Sequence, residues 1–264
     1  MSKKIFVTAI VISLTLSAAG AHGDAIKEST IIASFALPSS VPFGHVSIPT
    51  TMDEMVKIEG CQDLLGALPR ANPMGLTWDG KHIWVADDMS AKINKVDPKT
   101  GKILLSFYSP DTMPKGLAWD GTCLWNVDAY ARKLFRINPK SGDVVASYAT
   151  PGEGPKGLAW DGRYLWYADM YADTISMIRP DSGETVRTFS SPILDPECLA
   201  WDGANLWCTF SHDDRIYKID TRDGHILDMF LSPGNKPISL AYDGRYFWNG
   251  IENGRIFKID LGLR

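Results

Sequence analysis

A hexapeptide recurs through the chain at a fixed interval, and this interval constrains the fold more than any other feature. Gly75-Leu76-Thr77-Trp78-Asp79-Gly80 returns as Gly116-Leu117-Ala118-Trp119-Asp120-Gly121 and as Gly157-Leu158-Ala159-Trp160-Asp161-Gly162, each 41 residues on. Cys198-Leu199-Ala200-Trp201-Asp202-Gly203 and Ser239-Leu240-Ala241-Tyr242-Asp243-Gly244 continue the series at the same spacing. A second tryptophan keeps the period at Trp84, Trp125, Trp166, Trp207 and Trp248, and so do Gly101, Gly142, Gly183 and Gly224. A fixed period of this length means a stacked repeat architecture.

Within one unit, four short apolar segments alternate with turn signals. In the second repeat they are Gly116 to Trp119, Leu124 to Val127, Lys133 to Ile137 and Val144 to Tyr148. Asp120-Gly121, Asp128 to Arg132, and Asn138-Pro139-Lys140-Ser141-Gly142 lie between them. Short β-branched and aromatic runs set off by Asp-Gly and Pro-x-Ser-Gly turns read as antiparallel strands. Four strands per unit make the blade of a β-propeller, and five units predict an all-β, five-bladed one. The fifth unit stops after its third strand. Thr30 to Pro38 aligns with Asp143 to Pro151 at four identical positions and three conservative ones, so the N-terminal strand is expected to complete the last blade and cover its edge.

The remaining N-terminal sequence has other work. A basic start at Lys3-Lys4, an apolar run from Ile5 to Leu16 and small residues ending in Ala21-His22-Gly23 follow the order of a secretory signal peptide. The run is short for a membrane span. Residues 1–23 are therefore expected to be a leader, residues 24–264 the propeller, and the protein periplasmic or secreted. Loss of Lys3 and Lys4 with the leader takes the formal charge from −4 to −6. An acidic chain offers no basic footprint for nucleic acid, and a monomer is expected. Between Pro38 and Pro73 the link from outer to inner strand is 31 residues longer than its counterpart at Pro110 to Pro114. In the usual propeller path this insert, residues 39–72, enters on the top face, where a long insertion is often functional.

Candidate site residues fall in four groups. The aromatic positions at Trp78, Trp84 and their equivalents read as packing between blades rather than as a sugar platform. Asp87, Asp128 and Asp169 recur at the end of the second strand. They suit either a hard cation such as Ca²⁺ or the capping of loop amides. Lys115 and Lys156 lie on the same face and are expected to pair with those carboxylates. The fourth repeat departs from its neighbours: Pro196-Glu197-Cys198 replaces Pro-Lys-Gly, and Thr209-Phe210-Ser211-His212-Asp213-Asp214 replaces the Asp-containing stretch. Glu197 with His212 is the candidate acid–base pair. Lys115, Lys156, Asp213 and an exposed Phe210 are the candidate ligand contacts, and the insert is expected to pack over this sector. Four cysteines in an exported chain suggest disulfides. Cys198 and Cys208 flank one hairpin and are placed to face each other, while Cys61 in the insert offers a competing bridge.

The unit Pro-Lys-Gly-Leu-Ala-Trp-Asp-Gly, followed by Leu-Trp, Ala-Asp and Pro-x-Ser-Gly, resembles the repeats of NHL-like and YncE-like propellers. It is also similar to the group that includes the five-bladed, propeller-type glutaminyl cyclotransferases. That enzyme pattern has Phe-Thr-Gln-Gly-Leu and Tyr-Glu-Ser where this chain reads Pro114-Lys115-Gly116-Leu117 and Tyr167-Ala168-Asp169. Streptogramin lyases resemble it in repeat style, with seven blades and top-face histidines, against which this chain sets His212. The resemblance implies the fold and not one activity. Two functions are carried forward: a non-enzymatic propeller that binds a small molecule, peptide or protein on its top face, and an enzyme of cyclotransferase, lyase or lactonase type.

If Ile31 to Phe35 forms the outer strand of the last blade, deleting residues 24–38 exposes that edge. The expected outcome is a lower, less cooperative thermal transition and aggregation on heating, read by calorimetry and light scattering.

Overall fold

The structure, a computed structural model, describes residues 71–261 apart from 211 and 253. The expected closing strand, the leader and all but the last two residues of the insert lie outside this range. The chain forms five antiparallel sheets. The first contains β1 (Pro73–Trp78), β2 (Ile83–Asp87), β3 (Lys92–Val96) and β4 (Ile103–Tyr108). The second contains β5 (Pro114–Trp119), β6 (Leu124–Asp128), β7 (Lys133–Ile137) and β8 (Val144–Ala149). The third contains β9 (Pro155–Trp160), β10 (Leu165–Asp169), β11 (Thr174–Ile178) and β12 (Thr185–Ser190). The fourth contains β13 (Pro196–Trp201), β14 (Leu206–Phe210), β15 (Arg215–Ile219) and β16 (Ile226–Leu231). The fifth holds three described strands, β17 (Pro237–Tyr242), β18 (Phe247–Ile251) and β19 (Ile256–Ile259). Among the described residues no helix is long and apolar enough to cross a membrane.

The innermost strands pack side by side in a ring, β1 against β5, β5 against β9, β9 against β13, β13 against β17, and β17 back against β1. The result is the five-bladed β-propeller that the repeat predicts. Glycine permits the close approach: a Cβ on Gly75 would lie 2.2 Å from the Lys115 carbonyl oxygen of the next blade. Each pair of neighbouring blades encloses its own core. Trp84, Ala86 and Ile93 of the first blade meet Leu117, Leu124, Phe135 and Ile137 of the second. The joint that closes the ring is built alike, from Trp248, Ala241 and Ile256 of the fifth blade with Leu76, Ile83, Val85 and Val96 of the first.

The turn after each innermost strand explains why Trp-Asp-Gly recurs. The aspartate Oδ1 accepts the backbone N–H groups two and three residues on, at 2.8–2.9 Å and 2.7 Å in all five blades. Its Oδ2 accepts the indole N–H of the second tryptophan at 2.7–3.0 Å. The glycine that follows takes a positive φ of 92° to 100°, with open space where a Cβ would stand, so backbone conformation alone selects it. A cation then covers each indole: Lys95, Arg136, Arg187, Lys218 and Lys258, one per blade, 5.1–6.0 Å from the ring centre. Burying an indole of about 200 Å² is worth roughly 5 kcal/mol before ordering costs. A hydrogen bond adds about 1 kcal/mol. Burial drives the joint and the aspartate fixes its orientation.

Asp120 is predicted to be a stability determinant. Asp120→Ala orphans the Trp125 indole N–H and two turn amides, and should cost roughly 2–4 kcal/mol. Burial pushes the Asp79 and Asp120 carboxyls up, but hydrogen bonds overcome it and hold both below the ordinary aspartate range. For Asp79 these come from Trp84, His82, Lys95 and Lys81; for Asp120, from Cys123, Thr122 and Trp125. A carboxyl depressed in the folded state stabilises above its unfolded value and loses that contribution as pH falls through the folded one. Stability should therefore drop as pH falls below about 4, and Asp120→Asn should flatten that slope in denaturant titrations run across the range.

Candidate functional site

Each innermost strand starts at a proline opposite the end of the second strand: Pro73 pairs with Asp87, Pro114 with Asp128, Pro155 with Asp169, Pro196 with Phe210 and Pro237 with Ile251. This end is the top mouth of the channel. A register shift follows the proline in every blade, and such a bulge re-aims the side chain it inserts. The residue after the proline is Met74, Lys115, Lys156, Glu197 or Ile238, a ring with three charged members and two apolar ones.

The charged members are paired across blades. Lys115 Nζ donates to Asp88 Oδ2 at 2.6 Å, with side chains 9% and 14% exposed, and Asp88 also accepts from Asn72 Nδ2 at 2.9 Å. Lys156 Nζ donates to both Glu197 oxygens at 2.8 and 2.9 Å, with side chains 14% and 7% exposed. The lysines thus do not take Asp87, Asp128 and Asp169 as partners, because those carboxylates are turned into their own loops. Asp128 Oδ1 accepts the amides of Tyr130 and Ala131, and its Oδ2 that of Met113. Asp169 accepts the amides of Tyr171, Ala172 and Gly154. Asp87 accepts those of Met89 and Asn72 with the Ser90 hydroxyl. Tyr167 donates to Asp169 at 2.8 Å, and burial first, then that carboxylate, raises its phenol. The three aspartates stay distributed over three blades. Among the described residues no group of three or more His, Cys, Asp or Glu side chains stands ready for a metal ion.

Repeat four differs from expectation in three ways. Phe210 is not exposed: it is fully buried between blades three and four, edge-on to Tyr217 with ring centres 5.2 Å apart. The loop that lacks a capping carboxylate there is held by Asp213 instead. Its amide donates to the Phe210 carbonyl, and its carboxylate accepts from Arg215 at 3.1 Å and from the Tyr217 hydroxyl in a short contact. Burial and then Asp213 push the Tyr217 phenol up to about 12. Glu197 and His212 do not share a bond: His212, 80% exposed, has Nε2 2.8 Å from Asp195 Oδ2, while Glu197 holds Lys156.

Cys198 and Cys208 do not face each other either. Counted from the Trp201–Leu206 pair beside the turn, the regular ladder sets Cys198 opposite Thr209 and Cys208 opposite Leu199. The two thiols enter different inter-blade cores, and both are free. Burial pushes Cys198 up to about 12 and Cys208 well up, far from thiolate chemistry at neutral pH. Cys61 lies outside the described residues. The partners missed from sequence are Asp88, Asn72 and Asp195. Asp88 carries no repeat signal, since Ala129 and Met170 occupy its equivalent positions.

No protein-family model matches the chain, and no curated protein is significantly similar to it. Solved structures do match in fold. A glutaminyl cyclase of Myxococcus xanthus superposes with a TM-score of 0.64 at 16% identity, over 72% of this chain and 90% of that one. A chain of a nidogen/laminin complex gives 0.53 at 16%, over 72% and 76%. A Staphylococcus aureus virginiamycin B lyase gives 0.48 at 22%, over 73% and 67%. At these identities the likeness shows a propeller-type repeat protein.

Lys156→Met or Glu197→Met alone leaves the other charge buried without its partner, and should cost on the order of 3 kcal/mol. The double variant should recover most of that loss in thermal melts, and a non-additive cycle is the expected signature. EDTA against Ca²⁺ in the same melts separates loop capping, which predicts no shift, from a shared cation, which predicts one.

Proposed function

We propose that the protein is an exported, non-enzymatic propeller that binds a small polar molecule or the end of a peptide at its top mouth. The carrying observation is the ring after the strand prolines. Lys115, Lys156 and Glu197 form a charged arc facing Met74 and Ile238, and the bulged strands hold them in place. Such a mouth offers a ligand paired polar groups to hydrogen-bond on one side and apolar contact on the other. Binding is favoured over turnover because Glu197 and His212 are engaged with different partners and the two repeat-four thiols are buried. The leader-like residues 1–23 support export, and the remaining chain functions as a monomer on this reading.

Calorimetric titration with free amino acids and short peptides as probes tests the reading. At least one probe should bind saturably, and Lys156→Met/Glu197→Met should abolish that binding while keeping the fold. Binding that survives in the double variant, or no binding by any probe, contradicts it. Release of ammonia from an N-terminal glutaminyl peptide would instead establish the enzymatic alternative suggested by likeness to the glutaminyl cyclase.

A further inference from the structure

The fourth strand plays the same part in each of blades one to four. Its fifth residue is aromatic, Phe107, Tyr148, Phe189 or Phe230, and stands opposite Ile93, Leu134, Ile175 or Ile216. Each ring packs on the second tryptophan of its own blade, with centres 5.6–6.2 Å apart. Three of the rings also fill a notch in the next blade. A Cβ on Gly142, Gly183 or Gly224, all left-handed turn glycines, would lie 2.5–2.8 Å from Phe107, Tyr148 or Phe189.

The fifth blade carries the matching receiving groups at its outer edge, where β19 is the last described strand. Trp248 holds the indole position opposite Lys258, as Trp207 does opposite Lys218. Ile256 therefore corresponds to Ile216. On the adjoining first blade Gly101 is the turn glycine, left-handed at φ 69° and buried. The Gly254 carbonyl occupies the place of those of Ala91, Arg132, Asp173 and Asp214, which accept the amide after the fourth strand at 2.7–3.0 Å. Together these groups outline a slot for an extended segment with an aromatic ring at its fifth residue, the arrangement by which a sheet edge takes up a strand.

Between residues 24 and 70 the aromatic residues are Phe35 and Phe43. Pro42 beside Phe43 interrupts a ladder. Ile31-Ile32-Ala33-Ser34-Phe35-Ala36 is uncharged and places its ring fifth. Pro38 follows it after one residue, as Pro110, Pro151, Pro192 and Pro233 follow the other fourth strands. We propose that the outer edge of blade five is a strand-docking groove selective for an aromatic residue, and that residues 31–36 of the same chain fill it with Phe35 between Trp248 and Gly101. Beyond closing the blade, this fixes the register, with Phe35 opposite Ile256 and Ala36 opposite Arg255.

Two measurements on the full chain test the groove and its register. Phe35→Ala should lower the thermal midpoint by about 10 °C, whereas Phe35→Tyr, the residue used in blade two, should keep it. The pair at Gly254 is hydrogen-bonded in this register, so ladder alternation leaves Arg255 and Ala36 as a close pair without backbone bonds. Ala36→Cys/Arg255→Cys should therefore form a disulfide within one chain on mild oxidation. Ser34→Cys/Arg255→Cys, two residues out of register, should not. Peptide mapping distinguishes these bonds from any to the native cysteines. The thiol pairs keep Phe35 in place and decide the matter even if Phe35→Ala does not fold. An unchanged midpoint in Phe35→Ala, bonding by both thiol pairs alike or by neither, or a bond between two chains, which would make a second copy the donor, overturns the proposal.

Discussion

The turn aspartate that holds an indole across its own hairpin is the interaction on which the rest of the structure depends. A propeller blade is a twisted sheet with two faces to bury, and it can bury them only against its neighbours. The second tryptophan is among the largest side chains buried in each joint. Left alone, an indole in a core has an unmet donor and several rotamers. Asp79 and its equivalents meet the donor with one oxygen and close the hairpin with the other. One side chain thus couples local turn geometry to packing between blades, five times around the ring.

That rigidity is what allows the two channel mouths to differ. At the top, the strands begin with a proline and a bulge, and the bulged residue varies from blade to blade. Lysine, glutamate, methionine and isoleucine occupy one geometric position, so chemistry changes around the ring while the backbone does not. At the bottom, the strands end in a residue that barely varies, four tryptophans and a tyrosine. The upper mouth is asymmetric, and the lower one is nearly symmetric and aromatic. The proposed function follows from the asymmetry of the upper mouth.

The period, blade count, strand order and turn chemistry were all legible in the sequence, because each rests on local residue preference repeated at fixed spacing. The pairings at the top mouth were not. Lys115 was expected beside a repeated aspartate, but Asp128 is taken by the amides of its own loop, and the partner is Asp88, which has no repeat signal. Cys198 and Cys208 share a hairpin but sit one position out of register, Cys198 opposite Thr209 and Cys208 opposite Leu199, so strand alternation sends them to opposite faces. Phe210 replaces an aspartate at a position whose side chain points inward in every blade, so it joins the core instead of the surface. Register irregularities and long-range partners depend on the assembled ring, and composition does not encode them. The tryptophans carried the opposite lesson: one residue type at two positions looked like one packing role, and hydrogen bonding divides it.

The account therefore turns on the nine tryptophans of the chain. Solvent exchange of their indole N–H protons, read residue by residue in ¹H–¹⁵N spectra, tests it most directly. The account predicts that Trp84, Trp125, Trp166, Trp207 and Trp248 exchange slowly while Trp78, Trp119, Trp160 and Trp201 exchange fast in the ligand-free protein. Uniform protection of all nine, or rapid exchange among the first five, would contradict it.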